Sequence, residues 1–138
     1  MALRLRSRAQ FQAVLAANVA ARTAHFVLHR LAPDQVLPPL WHFPHSSMLA
    51  RAFPEAPPPV WLGALTPKRW ARRAVTRHLI ERQVHAVAAP QGAAGAYVVR
   101  LRAAFARAEF PSAASRALKR AVRAELLQLW SRAGARES

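Results

Sequence analysis

Seven of the chain's 11 prolines stand between Val36 and Val60, at Pro38, Pro39, Pro44, Pro54, Pro57, Pro58 and Pro59. Proline has no amide donor and a fixed φ, so neither a helix nor a sheet interior runs through such a stretch. Regular structure has to be built from the residues on either side, and residues 36–59 read as a loop insertion. Trp41 and Phe43 within it suit either anchoring onto the domain or contact with a partner. His42 and His45 lie three apart without a third ligand, so they read as loop histidines and not as a metal site.

A chain of 138 residues suits a single domain spanning residues 1–138. Hydrophobic residues make up 53% of it, but 32 are Ala, so the larger side chains must form most of the core. The absence of Cys excludes disulfides, thiolate metal sites and Cys nucleophiles, and favours a reducing cytoplasm. No run approaches 18 apolar residues, and Met1 to Arg6 has no apolar stretch behind its charges. The expectation is a soluble, unexported, cytoplasmic protein.

Ser7 and Gln10 form a capping-box pattern, which opens a helix from Arg8 to Ala17 with Phe11, Val14 and Leu15 on one face. His25 to Leu31 alternates as a strand, with Phe26 and Leu28 opposite His25, Val27 and His29, and Pro33 ends it. Val60 to Leu65 reads as a second strand. A helix from Arg73 to Ala88 follows, with Val75, Leu79, Ile80, Val84 and Val87 on its apolar half. After a turn at Gln91 to Gly95, Ala96 to Arg102 alternates as a third strand, with Tyr97, Val99 and Leu101 inward and Arg100 and Arg102 outward beside Val98. Pro111-Ser112 opens a last helix to Ala133. Its buried stripe is Leu118, Val122, Leu126, Leu129 and Trp130, and Arg116, Lys119, Arg120 and Arg123 occupy the remaining surface. Strand, helix, strand suggests a βαβ unit within a small α+β domain.

Charge narrows the function classes. Lys and Arg number 21 against 6 acids, a net charge of +15, which points to a polyanion: nucleic acid or an anionic membrane. The cations are 19 Arg and two Lys. Arg grips phosphate with a planar fork, although GC-rich codon usage gives the same bias, and both readings stand. A membrane partner is disfavoured, because the last helix sets its cations opposite an apolar stripe that the core requires. Catalytic patterns are scarce. Asp34, Glu55, Glu81, Glu109, Glu125 and Glu137 are dispersed, four Gly give no phosphate loop, and no nucleophile elbow occurs.

The strongest feature is the block Lys68 to Arg82. Lys68, Arg69, Arg72, Arg73, Arg77 and Arg82 stand there against the single acid Glu81, at a loop-to-helix junction where free amides and the helix dipole also attract phosphate. Solvated helix faces usually mix both signs, so an anion site is the better reading.

In this block the chain resembles the protein subunit of bacterial ribonuclease P, the ribonucleoprotein that removes 5′ leaders from precursor tRNA. The family signature is a basic pair, a short spacer and Ala-x-x-Arg-Asn-x-x-Lys-Arg-x-x-Arg. Lys68-Arg69, Arg72-Arg73, Ala74, Arg77 and Arg82 match it, while His78, Leu79, Glu81 and His85 replace its Asn, the cation after it, its Lys and its last Arg. The order of elements agrees too, from Leu5-Arg6-Ser7-Arg8 through Leu62-Gly63 to Tyr97-Val98-Val99. The resemblance implies a sheet of about four strands with three helices and a left-handed βαβ crossover. It also implies that the catalytic RNA, with Mg²⁺ bound to it, performs the chemistry, so no catalytic or metal-binding residue is expected in the protein. Partners would be that RNA and precursor tRNA, with no obligate protein partner. Lys68, Arg69, Arg72, Arg73, Arg77, His78 and Arg82 would meet the RNA, and Phe11, Leu15 and His29 the leader. For Phe11 a core role stands equally. Glu81, four residues after Arg77, is placed to orient that Arg. The competing reading is a structural or ribosome-associated RNA-binding protein with no processing role.

Overall fold

The computed structural model describes residues 3–36, 41, 60–87, 94–106, 110, 112 and 115–137. His42, Phe43, His45 and most of the Pro-rich segment lie outside the described residues, as do Pro111 and 91–93 of the turn.

The capping box opens α1 (Arg8–Leu15): Gln10 N donates to Ser7 Oγ at 3.1 Å, and Gln10 Oε1 accepts from Ser7 N at 3.2 Å. The helix stops short of Ala17, whose amide turns back to the Val14 carbonyl at 3.0 Å, and the chain runs straight into a strand. Two strands are absent from the sequence reading, β1 (Leu3–Arg4) and β2 (Asn18–Arg22). The others are β3 (Phe26–Leu31), β4 (Val60–Leu65) and β5 (Gly95–Leu101). A 3-10 turn, Pro33–Gln35, ends β3. The remaining helices are α2 (Ala74–Ala86) and α3 (Arg116–Glu137). Ser115, not Ser112, caps α3, its Oγ accepting from Leu118 N at 3.0 Å.

The sheet therefore has five strands instead of four, in the order β1-β4-β5-β3-β2. β4 pairs parallel with β1 and β5, whereas β3 pairs antiparallel with β5 and β2. Chirality fixes the hand of the crossover. In a strand of L-residues seen running upward, a side chain aimed at the viewer has its own amide and carbonyl on the right. Leu62 packs with Ile80 and Val84 of α2, and its carbonyl accepts from Leu5 N at 3.0 Å, so β1 lies right of β4 and β5 lies left. The chain climbs β4, descends α2 in front and climbs β5 on the left. This is a left-handed crossover, where about 98% of such units are right-handed.

Two apolar layers cover the sheet. On one face α2 and α3 bury Phe26, Leu28, Leu62, Ile80, Tyr97, Val99, Val122, Leu126 and Leu129. On the other, α1 buries Leu5, Val14, Leu31, Trp61, Ala96 and Val98, and Trp41 meets Trp61 edge-on at 5.4 Å. Trp41 is thus an anchor of the insertion. Val98 does not face outward, as alternation suggests, because the central strand β5 is covered on both sides. Val75 is 43% exposed and leaves the apolar half expected for α2, while the polar Gln83 is buried. Trp130 lies half-buried, edge-on to Tyr97 at 5.1 Å.

Candidate nucleic-acid interface

Pro67 closes β4 and starts a turn in which Trp70 N and Ala71 N both donate to its carbonyl, at 3.0 and 3.2 Å. Apolar residues of this turn fix it to the fold: Ala71 is buried, and Trp70 packs against the α2/α3 core. The polar residues consequently point out, and Lys68, Arg69, Arg72 and Arg73 are all exposed. Arg69 lies over the Trp70 ring at 5.3 Å. Arg73 is the N-cap of α2, with extended backbone and no side-chain cap bond. The positive end of the helix therefore opens where four cations converge, an arrangement suited to phosphate.

Arg77 behaves differently from its neighbours. Its Nη1 turns back to the carbonyls of Ala71 and Arg72, at 3.0 and 2.8 Å, so it shapes the turn that presents Arg72 and Arg73. Glu81 does not orient it. Glu81 Oε1 instead accepts from Thr66 Oγ1 at 2.8 Å, which ties α2 to the end of β4 and turns the reversed charge inward. His78 and Arg82 are exposed further along α2. With Arg4, Phe11, Glu81 and His85 they line a groove of about 490 Å³. Burial pushes the His85 imidazole below its ordinary pKa and nearby Arg4 pushes it further, against Glu81, so the position of the signature's last Arg holds a neutral ring near pH 7.

The residues expected to meet the leader lie on the opposite face of the sheet. Phe11 and Leu15 are half-buried on α1. Phe11 reaches the sheet over Gly63, where an added Cβ would come within 2.7 Å of its Cε1 and Cζ. A side chain at 63 would displace the ring. Phe11 is thus both a packing residue and a wall of the groove that His78 and Arg82 share. His29 departs from expectation. It is only 6% exposed, and its Nε2 accepts from Arg100 Nε at 3.2 Å, leaving no ring face open for a base. Burial, then the charges of Arg100 and Arg22, lower its pKa, so it is neutral. Arg100, half-exposed on this face, is the residue that sequence reasoning missed. Alternation alone placed it on an open outer surface, and only the β3–β5 register, which sets Val27 against Arg100 and His29 against Val98, reveals the pair.

Two further cations, Arg30 and Arg102, are tied into the fold. Arg30 donates to Tyr97 Oη at 3.1 Å and to the Ala94 carbonyl at 3.0 Å, and Arg102 to the Thr23 carbonyl at 3.0 Å. Among the described residues, no group of three or more His, Cys, Asp or Glu could hold a metal ion, and no helix is long and apolar enough to cross a membrane.

Fold and site together define a small, strongly basic RNA-binding protein of α+β type. The chain belongs to the ribonuclease P family of tRNA-processing proteins: the family model described as Ribonuclease P matches residues 1–133. No curated protein sequence matches it. Among solved structures it is similar in fold to Staphylococcus aureus RNase P protein, with a TM-score of 0.59 and 16% identity over 95% of this chain and 94% of that one. A mutant of the S. aureus RNase P protein with defective mRNA degradation activity gives a TM-score of 0.59 and 15% identity, over 93% of this chain and 85% of that one.

Proposed function

We propose that this chain works as the protein subunit of a ribonuclease P holoenzyme, binding the catalytic RNA and the 5′ leader of precursor tRNA. The observation that carries this is the turn before α2, where Lys68, Arg69, Arg72 and Arg73 converge on a helix end without a side-chain cap. Each phosphate these cations neutralise releases condensed counterions, so the protein stabilises the folded RNA with less Mg²⁺. The Mg²⁺ belongs to the catalytic RNA, which performs the hydrolysis, and the protein contributes no catalytic residue. On the leader side, the half-exposed Phe11 offers a ring against which a base can stack. Leu15 offers apolar contact, and the half-exposed Arg100 stands in for the buried His29 as a leader contact. The groove between Phe11 and α2 gives a leader bound at α1 a route toward the RNA-binding helix.

Reconstitution with the cognate ribonuclease P RNA at low Mg²⁺ tests this. The expected result is precursor tRNA cleavage faster than with RNA alone, and strongly slowed by the double change Arg72→Gln and Arg73→Gln. Cleavage no faster than with RNA alone would remove the processing role.

A further inference from the structure

The cations of α3 need a separate explanation. Arg116, Lys119, Arg120 and Arg123 are all exposed, and at 3.6 residues per turn they span about 100° of the helix surface over about 10 Å of its length. Glu125 is the one acid between residues 116 and 131, and it is withdrawn from them. Its Oε2 accepts from Thr23 Oγ1 at 2.6 Å and from His25 N at 2.7 Å, and its Oε1 meets His25 Nδ1 at 2.7 Å. The only other acid of α3 is Glu137, 14 residues beyond Arg123 and about 20 Å further along the axis, so no acid of the helix stands beside the arc.

Its direction follows from what the two flanks of α3 touch. On one flank Glu125 holds the β2–β3 turn, and Arg132 Nη1 donates to the Arg22 carbonyl of β2 at 2.6 Å. On the other, Trp130 meets Tyr97 of β5. By the helical repeat, Lys119, Arg123 and Arg116 lie on the Trp130 flank. In the sheet order β1-β4-β5-β3-β2, that flank looks away from β2 and toward α2, which packs over β4. A helix that only needed solubility would have no reason to gather its cations on the side facing the other basic helix.

We infer that α3 is a second phosphate-contact face, continuous with the turn before α2, and that both grip the backbone of the same RNA, the catalytic RNA. Arg116, Lys119, Arg120 and Arg123 extend the α2 site across the outer surface of the two helices. The leader cleft lies on the opposite face of the sheet, so α3 serves the catalytic RNA and not the leader. This inference rests on the ribonuclease P role proposed above, and its test separates the two.

The experiment compares three full-length proteins: the native chain, the quadruple variant Arg116→Gln, Lys119→Gln, Arg120→Gln and Arg123→Gln, and the double variant Arg72→Gln and Arg73→Gln. Affinities for the cognate catalytic RNA and for precursor tRNA are measured over a series of KCl concentrations, and circular dichroism melting checks that the folds are intact. The altered side chains are exposed, so melting is expected to be unchanged. The α3 variant should bind the catalytic RNA about tenfold more weakly at moderate salt, with the slope of log affinity against log salt shallower by roughly 3. If the double variant weakens binding and the α3 variant does not, the second face is wrong while the first stands. Weakened binding of precursor tRNA alone would also overturn the inference. An unchanged slope in both variants would overturn both readings.

Discussion

The two faces of the sheet treat positive charge in opposite ways. On the α2/α3 face the cations ride on helices and on the turn before α2, above an apolar core, and they reach solvent without being buried. They can therefore accumulate without needing acidic partners. On the α1 face Arg100 rises from the sheet itself and donates at 3.2 Å to the buried His29, whose pKa is lowered first by burial and then by the charge of Arg100. The exposed cations around Arg72 and along α3 are thus free for a polyanion, whereas Arg100 on the sheet is partnered within the fold.

The largest expected effect concerns the cores beneath the two faces. Leu126 is fully buried between α3 and the sheet, so Leu126→Ala should cost about 2–5 kcal/mol in urea unfolding. Val14→Ala on the α1 side should cost less, about 1–3 kcal/mol. The reverse order would mean that the α1 layer, not the α2/α3 layer, holds the domain together. Next comes Gly63→Val, which forces methyl groups against Phe11 and Leu5 and should destabilise by about 1–3 kcal/mol. Gly134→Ala, with nothing within 4 Å of the new methyl, serves as its control. If both were neutral, the Phe11 ring would have to be looser than its packing indicates.

Glu125→Gln should lower stability by about 1–2 kcal/mol, because it weakens three bonds that fasten the β2–β3 turn to α3. Thermal melting reads that loss, and RNA affinity should not fall. A drop in affinity would show that the α3 anchor and the RNA face are coupled.

The smallest effect is that of pH. His29 and His85 both have pKa values lowered in the fold, mainly by burial, so below about pH 6.5 the unfolded chain takes up protons that the folded chain refuses. Their contribution is complete above that value and is lost as pH falls toward the depressed folded values. The melting temperature should decline over that range, and less so in His29→Gln. An identical pH profile in the variant would mean that His29 is not the buried neutral ring described.

Features that depend on neighbouring residues were legible in the sequence. The capping box at Ser7 and Gln10, the apolar stripe of α3 and the basic block around Arg72 are all local patterns, and each stands in the structure where the pattern placed it. β2 was hidden because Asn18 to Arg22 has no strong alternation of its own and is held by pairing to β3. β1 is two residues long and exists through β4. The burial of Val98 and the loss of Val75 from the core depend on which layers cover each face. The His29–Arg100 pair spans 71 residues and the His25–Glu125 contact 100, distances over which no sequence spacing speaks.

The sequence by itself determined the order of helices and the three longer strands and the concentration of charge ahead of α2. These follow from periodicity and composition, which act over a few residues. Only the tertiary structure decided which cations are free. It tied Arg77 to the Ala71 and Arg72 carbonyls and Glu81 to Thr66, neutralised His29 and turned the α3 arc toward α2. The physical reason is that a charge's availability depends on the donors, acceptors and solvent around it, and folding brings these together from distant parts of the chain.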